Sequence, residues 1–373
     1  MKFLEVYKPD KFLAGRNFGL DLIRSVAILL VLISHLNISD QSTCGLKIGG
    51  LGVEIFFVLS GFLIGQILIR TFSKSLSLSS IMDFWIRRWF RTLPLYYLII
   101  ILKFILIDHS LGYKILVYFF FLQNNFVGID FMPVTWSLVI EEWFYLTLPM
   151  IMLVFFHSGK VSPRALMIFI LAFIFSISFL RTIFVLYMDR GFEGVSGNFP
   201  FRLDSLMCGV FIASLKLNYR VYYNWLASLK VFLSVFLCYA CVLYWFGVAN
   251  SVPGGINQAL WTRTHWFLMN SLCVAFLIPY IETRVILTRE RGFLKVIITS
   301  ISVFSYCAYL IHMEVYRWVL KSPVFTGQWL IESFMVLFIT FLFSAVVYCT
   351  YEKPMTDLRD RFKTKWSFSS AKL

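Results

Sequence analysis

Charge is what this chain has least of. Of its 373 residues, 14% are Asp, Glu, Lys or Arg, against about 25% in an ordinary soluble domain. Acids are scarcer than bases, 20 against 34. No Pro/Gly/Ser-rich linker and no shift in composition marks a second domain, and no internal repeat is visible. A Gly-rich nucleotide-binding motif is also missing. The seven cysteines (Cys44, Cys208, Cys238, Cys241, Cys273, Cys307, Cys349) are scattered, mostly within apolar runs. Cys238 and Cys241 form a C-x-x-C inside a hydrophobic segment, with no second pair to complete a metal site, so inert buried thiols and no metal are expected. The formal net charge of +14 would suit nucleic acid, but the basic residues collect at the termini and in particular loops. That is how the cytoplasmic loops of a membrane protein are charged, and no nucleic-acid partner is expected.

What the chain has instead is apolar sequence, with 59% hydrophobic residues and a mean hydropathy of +0.78. Apolar runs long enough to cross a bilayer recur along its whole length, and their continuity argues for helices rather than an outer-membrane barrel. Ten spans are predicted: Leu20 to Leu36, Leu51 to Ile69, Leu93 to Ile107, Ser137 to Phe156, Ala165 to Tyr187, Phe201 to Leu217, Trp225 to Phe246, Trp266 to Ile281, Ile298 to Leu320 and Leu330 to Tyr348. The first follows a basic stretch but lacks a small-residue cleavage site, so it reads as a retained span. Basic loops at Arg70 to Arg91, Lys216 to Arg220 and Arg284 to Lys295, with the tail from Lys353 to Lys365, mark the cytoplasmic side. Parity then requires an even number of crossings between these landmarks. The short run Ile115 to Phe126 would make that number odd, so Ile115 to Val134 is placed at the outer face without crossing. The expected fold is an all-α polytopic bundle of about ten transmembrane helices. Both termini are cytoplasmic in this reading, with a segment 1–19, a membrane domain 20–351 and a basic tail 352–373.

Titratable groups at membrane depth are costly, which makes each a candidate for function. Arg24 and His35 are eleven positions apart on the first span. They lie on nearly one helical face, separated by roughly 16 Å along the axis. Asp21 is close enough to that face to pair with Arg24. Glu54 enters the second span beside the double glycine Gly49 and Gly50. In "WIRRWFRTLPLYY", Arg88 and Arg91 are three apart and face one way, a fork suited to phosphate oxygens or simply a positive-inside anchor. In "TWSLVIEEWFYLTLP", Ser137, Glu141 and Tyr145 make a polar stripe, whereas Glu142 projects with apolar neighbours. Arg202 and Asp204 begin the sixth span as a plausible structural ion pair. Tyr306, Tyr309, His312 and Glu314 lie on the ninth. Under the parity topology His35, Glu54, Glu141, Arg202, Asp204 and His312 sort toward the outer face, and Arg24, Arg88 and Arg91 toward the cytoplasm.

From "LDLIRSVAILLVLISHL" through "GVEIFFVLSGFLIG", "FWIRRWFRTLPLYY", "TWSLVIEEWFYLTLP", "FRLDSLMCGV" and "SYCAYLIHM" to "YEKPM", the chain resembles the membrane-bound acyltransferase family 3, which O-acylates cell-surface sugars and some small molecules. The family's basic residue preceding a histidine with ten residues between maps onto Arg24 and His35, its R-x-x-R onto Arg88 and Arg91, its double glycine onto Gly49 and Gly50, and its W-S-L-x-x-E glutamate onto Glu141. The resemblance implies acyl-coenzyme A, most often acetyl-CoA, as cytoplasmic donor substrate. It implies an acceptor hydroxyl presented outside, on a lipopolysaccharide O-antigen or another surface polysaccharide, and a place in a bacterial inner membrane. A periplasmic domain fused after the last helix in some members is not expected here. His35 is the candidate general base, with Glu141 or Glu54 stabilising its imidazolium; Arg24, Arg88 and Arg91, with Gly49 and Gly50, are the donor-binding candidates. Arg202, Asp204, His312, Tyr306 and Glu142 are candidates on the acceptor side, and Tyr306, Tyr309 or Asn37 for the oxyanion. An exported small molecule as acceptor, transfer through an acyl-enzyme and a non-catalytic sugar flippase are the alternatives.

Overall fold

A computed structural model describes residues 15–36, 48–73, 77–156, 161–252, 254–285, 292–321 and 329–359. Its long helices are α1 (Phe18–Ser34), α2 (Ile48–Phe72), α3 (Leu78–Leu106), α4 (Trp136–Phe155), α5 (Pro163–Met188), α6 (Leu203–Asn218), α7 (Leu229–Ser251), α8 (Trp266–Arg284), α9 (Phe293–Lys321) and α10 (Trp329–Val347). Each overlaps one of the predicted spans, and no strand occurs among the described residues. Eight segments are long and apolar enough to cross a membrane. The other two helices, α1 with 17 residues and α6 with 16, are about 25 Å long at 1.5 Å per residue, a little under the ~30 Å hydrocarbon core. The fold is an all-α polytopic membrane bundle. The segment expected on the cytoplasmic side before residue 15 and the tail beyond 359 lie outside the described residues, as do Asn37 and Cys44.

Helix directions follow from which residues meet. A β-carbon added at Gly61 of α2 would sit 1.8 Å from the Leu206 carbonyl oxygen of α6, and one at Gly209 of α6 would sit 2.0 Å from that of Val58. Only glycine permits this backbone-to-backbone approach, the commonest way for membrane helices to gain packing without a hydrophobic driving force. Gly65 meets Val210 and Ala213 one turn further on, so α2 and α6 run in the same direction. An extra crossing between them would have reversed α6. The segment 112–135 instead folds as short turns of helix, Gly112–Ile115, Leu116–Phe119, Gln123–Phe126 and Pro133–Thr135. Its irregular backbone is bonded by side chains of neighbouring spans: Tyr96 Oη donates to Tyr118 O (3.1 Å), Tyr97 Oη to Phe119 O (2.9 Å) and Trp143 Nε1 to Phe121 O (2.9 Å). Non-helical backbone near a membrane is tolerated where protein satisfies it in this way.

Helix α1 runs against α2, since Gly49 faces Ser34 and Gly52 faces Ala27 and Val31. It runs alongside α9 in the same direction, with Asp21 receiving a hydrogen bond from Ser302 Oγ (2.7 Å) near its start and His35 meeting His312 near its end. One end of the bundle thus gathers Arg16, Arg24, Arg88 and Lys216, and the other gathers His35, Glu54 and Arg202. Cys238 and Cys241 point outward from α7, unlike the other described cysteines, which are buried; the expectation of burial fails for these two because α7 is a peripheral helix.

Candidate functional site

Among the described residues, two cavities gather several of the titratable groups of the bundle. The first, of about 340 Å³, brings together Arg24 of α1, Arg87, Arg88 and Arg91 of α3, Glu141 of α4 and Arg359. Farther in it is lined by Ser60, Phe56 and Phe57 of α2, Ser137 of α4, and Tyr306 and Tyr309 of α9. Arg87 and Arg91 are exposed at its mouth, and Arg88 and Arg24 are half-buried. The fork expected of Arg88 and Arg91 does open into one space, with Arg24 opposite. Arg88 Nη2 donates to Tyr145 Oη (2.7 Å) and stands 3.7 Å from Glu141 Oε2. Ser137 and Glu141 of the polar stripe therefore form part of one wall of this cavity, while Glu141 and Tyr145 hold Arg88. Tyr309 Oη is bonded to Ser137 Oγ (2.7 Å) and Val134 O (2.9 Å), and Tyr306 Oη to Thr92 O (2.9 Å). Glu142 is buried away from this space, and its Oε2 has no hydrogen-bond partner among the described residues.

Asp21 does reach Arg24, at 3.7 Å, but its closer partner is Arg16 at 2.9 and 2.5 Å. Ser302 bridges the group, with its Oγ 3.3 Å from Arg24 Nη1. This cluster fixes the base of α1, and through it the height of Arg24 in the bundle.

His35 forms the C-cap of α1 and is half-buried. Its Nδ1 lies 2.8 Å from Val31 O. A carbonyl can only accept, so Nδ1 carries the hydrogen and Nε2 carries the lone pair of the neutral ring. His312 repeats the arrangement: Nδ1 is 2.8 Å from Tyr309 O, and Nε2 is buried without a hydrogen-bond partner among the described residues. The two rings meet edge to face with centroids 4.9 Å apart. Glu141 is held by Arg88, and Glu54 is bonded by Arg202 Nη2 and Ser271 Oγ. His35 lines neither cavity.

Arg202 and Asp204 do not pair with each other. One residue between them on a helix start turns the two side chains apart, so Arg202 reaches Glu54 of α2 while Asp204 takes Arg181 of α5 at 2.8 Å. Both members of the Arg181–Asp204 pair are fully buried. Arg181 went unnoticed in the sequence although it interrupts an apolar helix, and that interruption was the available signal. Asp204 is consequently committed to the scaffold. Arg181→Met is expected to destabilise the protein by about 3–5 kcal/mol by leaving a buried charge unpaired, and adding Asp204→Asn should recover most of the loss. Thermal unfolding of the two variants in detergent checks this.

The second cavity, of about 250 Å³, lies at the other end and is lined by Gly50, Glu54, Trp136, Arg202, Trp266 and Phe267, among others. The double glycine is split by its surroundings. A β-carbon on Gly49 would lie 2.3 Å from Ser34 Oγ, so Gly49 seats α2 on α1; one on Gly50 would meet nothing within 4 Å among the described residues. Gly50 opens onto the second cavity rather than the arginine-lined one.

With this geometry in hand, the acyltransferase domain family matches residues 17–349. The chain belongs to this acyltransferase family. Among its relatives, the peptidoglycan O-acetyltransferase OatA of Listeria monocytogenes is 34% identical over 168 residues, 40% of this chain and 26% of the relative. YrhL of Bacillus subtilis, provisionally named a peptidoglycan O-acetyltransferase, is 33% identical over 165 residues, 39% of this chain and 25% of the relative. A provisionally named O-acetyltransferase of Staphylococcus aureus is 30% identical over 230 residues, 56% of this chain and 36% of the relative. The chain matches about a quarter to a third of the length of these relatives. No solved structure matches this chain.

Proposed function

We propose that the protein is a multi-pass O-acyltransferase of a bacterial inner membrane. It would carry an acyl group, acetyl by preference, from cytoplasmic acyl-CoA to a hydroxyl of an extracytoplasmic polysaccharide such as an O-antigen. The observation that carries the reading is the convergence of Arg24, Arg87, Arg88, Arg91 and Arg359 on one end of an intramembrane cavity that continues between helices. A polyanionic head needs such a cluster, and guanidinium groups match phosphate oxygens better than any other side chain. The slim, uncharged pantetheine arm suits the part of the cavity that Leu63, Ile64 and Phe56 help to line.

In this reading His35 Nε2 takes the proton of the acceptor hydroxyl as its oxygen attacks the thioester carbonyl. The new C–O bond forms, the C–S bond breaks, and the proton passes from the imidazolium to the departing thiolate. The Nδ1–H bond to Val31 O would hold the tautomer this requires. His312, edge-on to His35, would hold the ring in place from α9. Tyr309 and Tyr306 at the inner wall are the available hydroxyls near the carbonyl oxygen, although each already donates within the bundle.

The test is mass spectrometry of surface glycan from cells with the gene deleted and with it restored. Loss of an alkali-labile acyl group on deletion, and its return on restoration, is the expected result. An unchanged glycan would remove the polysaccharide acceptor, and accumulation of an unacylated exported small molecule would replace it.

A further inference from the structure

The first cavity is long, and its two ends differ. On α2 its lining recurs every three or four residues, through Val53, Phe56, Ser60, Leu63 and Ile67, which is one face of the helix. From Ile67 to Val53 this face runs roughly 21 Å along the axis at 1.5 Å per residue. The inner end carries the arginines. At the outer end the described lining stops at Val53, Phe56 and Phe57 of α2, Ser137 of α4 and Tyr309 of α9. We propose that Phe56 sets which acyl group this protein accepts: an acetyl group fits in front of its ring, and a butyryl chain overlaps it. The inference rests on the acyltransferase reading above, because phosphates seated at the arginine end leave the opposite end for the thioester.

The outer end of this cavity is close to the proposed base. Gly52, the neighbour of Val53, packs on Val31, one turn before His35, and Tyr309 precedes His312 by one turn on α9. A thioester carbonyl at the level of Tyr309 is therefore about one helical turn, ~5 Å, below the level of the two histidines. From there the acyl chain has the Phe56 ring in front of it.

Among the rings at this end, Phe56 is the one whose place the cavity itself decides. Tyr309 is fixed by its bonds to Ser137 Oγ and Val134 O. Phe57 is buried, edge to face with Trp136 at 6.1 Å and with the Arg202 guanidinium 5.4 Å over its ring. Phe56 is half-buried and meets the fixed Tyr309 ring edge to face, with centroids 6.3 Å apart. A ring braced in this way cannot swing aside cheaply, so a chain pressed against it is penalised as overpacking is in any close-packed interior. Truncating Phe56 breaks no hydrogen bond and opens volume where the acyl chain would lie.

Coenzyme A thioesters that differ only in acyl length isolate this wall, since they share every phosphate. The full-length protein in detergent would be titrated by calorimetry with unacylated coenzyme A, acetyl-CoA, butyryl-CoA and hexanoyl-CoA, which needs no acceptor. The wild type is expected to bind butyryl-CoA about tenfold more weakly than acetyl-CoA, and hexanoyl-CoA more weakly still. Phe56→Ala should bring butyryl-CoA to within about threefold of acetyl-CoA and leave unacylated coenzyme A at its wild-type affinity. Phe56→Leu should fall between, and it carries the comparison if Phe56→Ala does not fold. A purely structural role would lower the thermal midpoint and every affinity together without moving the acetyl-to-butyryl ratio. Equal wild-type affinity for acetyl-CoA and butyryl-CoA, or a ratio unmoved in the variants that fold, would overturn the role of Phe56 and leave the donor reading standing. A wild-type protein that binds neither coenzyme A nor its thioesters would remove the donor reading, and the role of Phe56 with it.

Discussion

His35→Ala is expected to lower the turnover of acetyl transfer by about 10²–10⁴-fold, the range over which a positioned general base contributes. The expectation follows from the tautomer. Because Val31 O accepts from Nδ1, the basic nitrogen is Nε2, and no other described group at this end of the bundle presents a comparable lone pair except His312. Purified variants assayed with acetyl-CoA and a glycan acceptor should show the loss in kcat, with acetyl-CoA binding retained, since the arginine-lined cavity does not include His35. A variant that still turns over at near the wild-type rate would move the base elsewhere, and His312 would be the first place to look.

Arg88→Ala should raise the KM for acetyl-CoA roughly ten- to a hundredfold, the equivalent of a hydrogen bond to a charged group. Arg88 differs from Arg87 and Arg91 in being half-buried and held in place by Tyr145 and Glu141. A guanidinium already oriented loses less freedom on gripping a phosphate, so its removal costs more than that of an exposed neighbour. The decisive comparison is with S-acetylpantetheine, which lacks the nucleotide phosphates: its KM should not change. Equal losses with both donors would mean that Arg88 acts by bracing Glu141 and Tyr145, and not by holding the donor. Arg88→Lys should fall between, because a lysine keeps the charge but not the fork.

Much of the architecture was legible in the sequence because it is set by local properties. A run of apolar residues must bond its own backbone in a bilayer, so each of the ten predicted spans became a long helix. Parity of basic loops kept Ile115 to Val134 from crossing, and the shared direction of α2 and α6 agrees. Helical periodicity likewise placed Ser137 and Glu141 on one face, and Arg88 with Arg91 on another, before any contact was known.

Pairings across helices were not legible. Arg202 and Asp204 are near neighbours in sequence, but their ion pairs lie 148 and 23 positions away, with Glu54 and Arg181. The adjacent glycines read as one motif, whereas packing gave Gly49 to the α1 interface and Gly50 to an open cavity. What touches His35 was not legible either; its ring lies against that of His312. The sequence by itself determined that the chain is a bundle of membrane helices carrying arginines at one end and titratable groups at the other, because hydropathy and helical period act residue by residue. Only the tertiary structure decided which charges neutralise each other and which face a cavity, because partner choice depends on how helices distant in sequence are rotated and stacked.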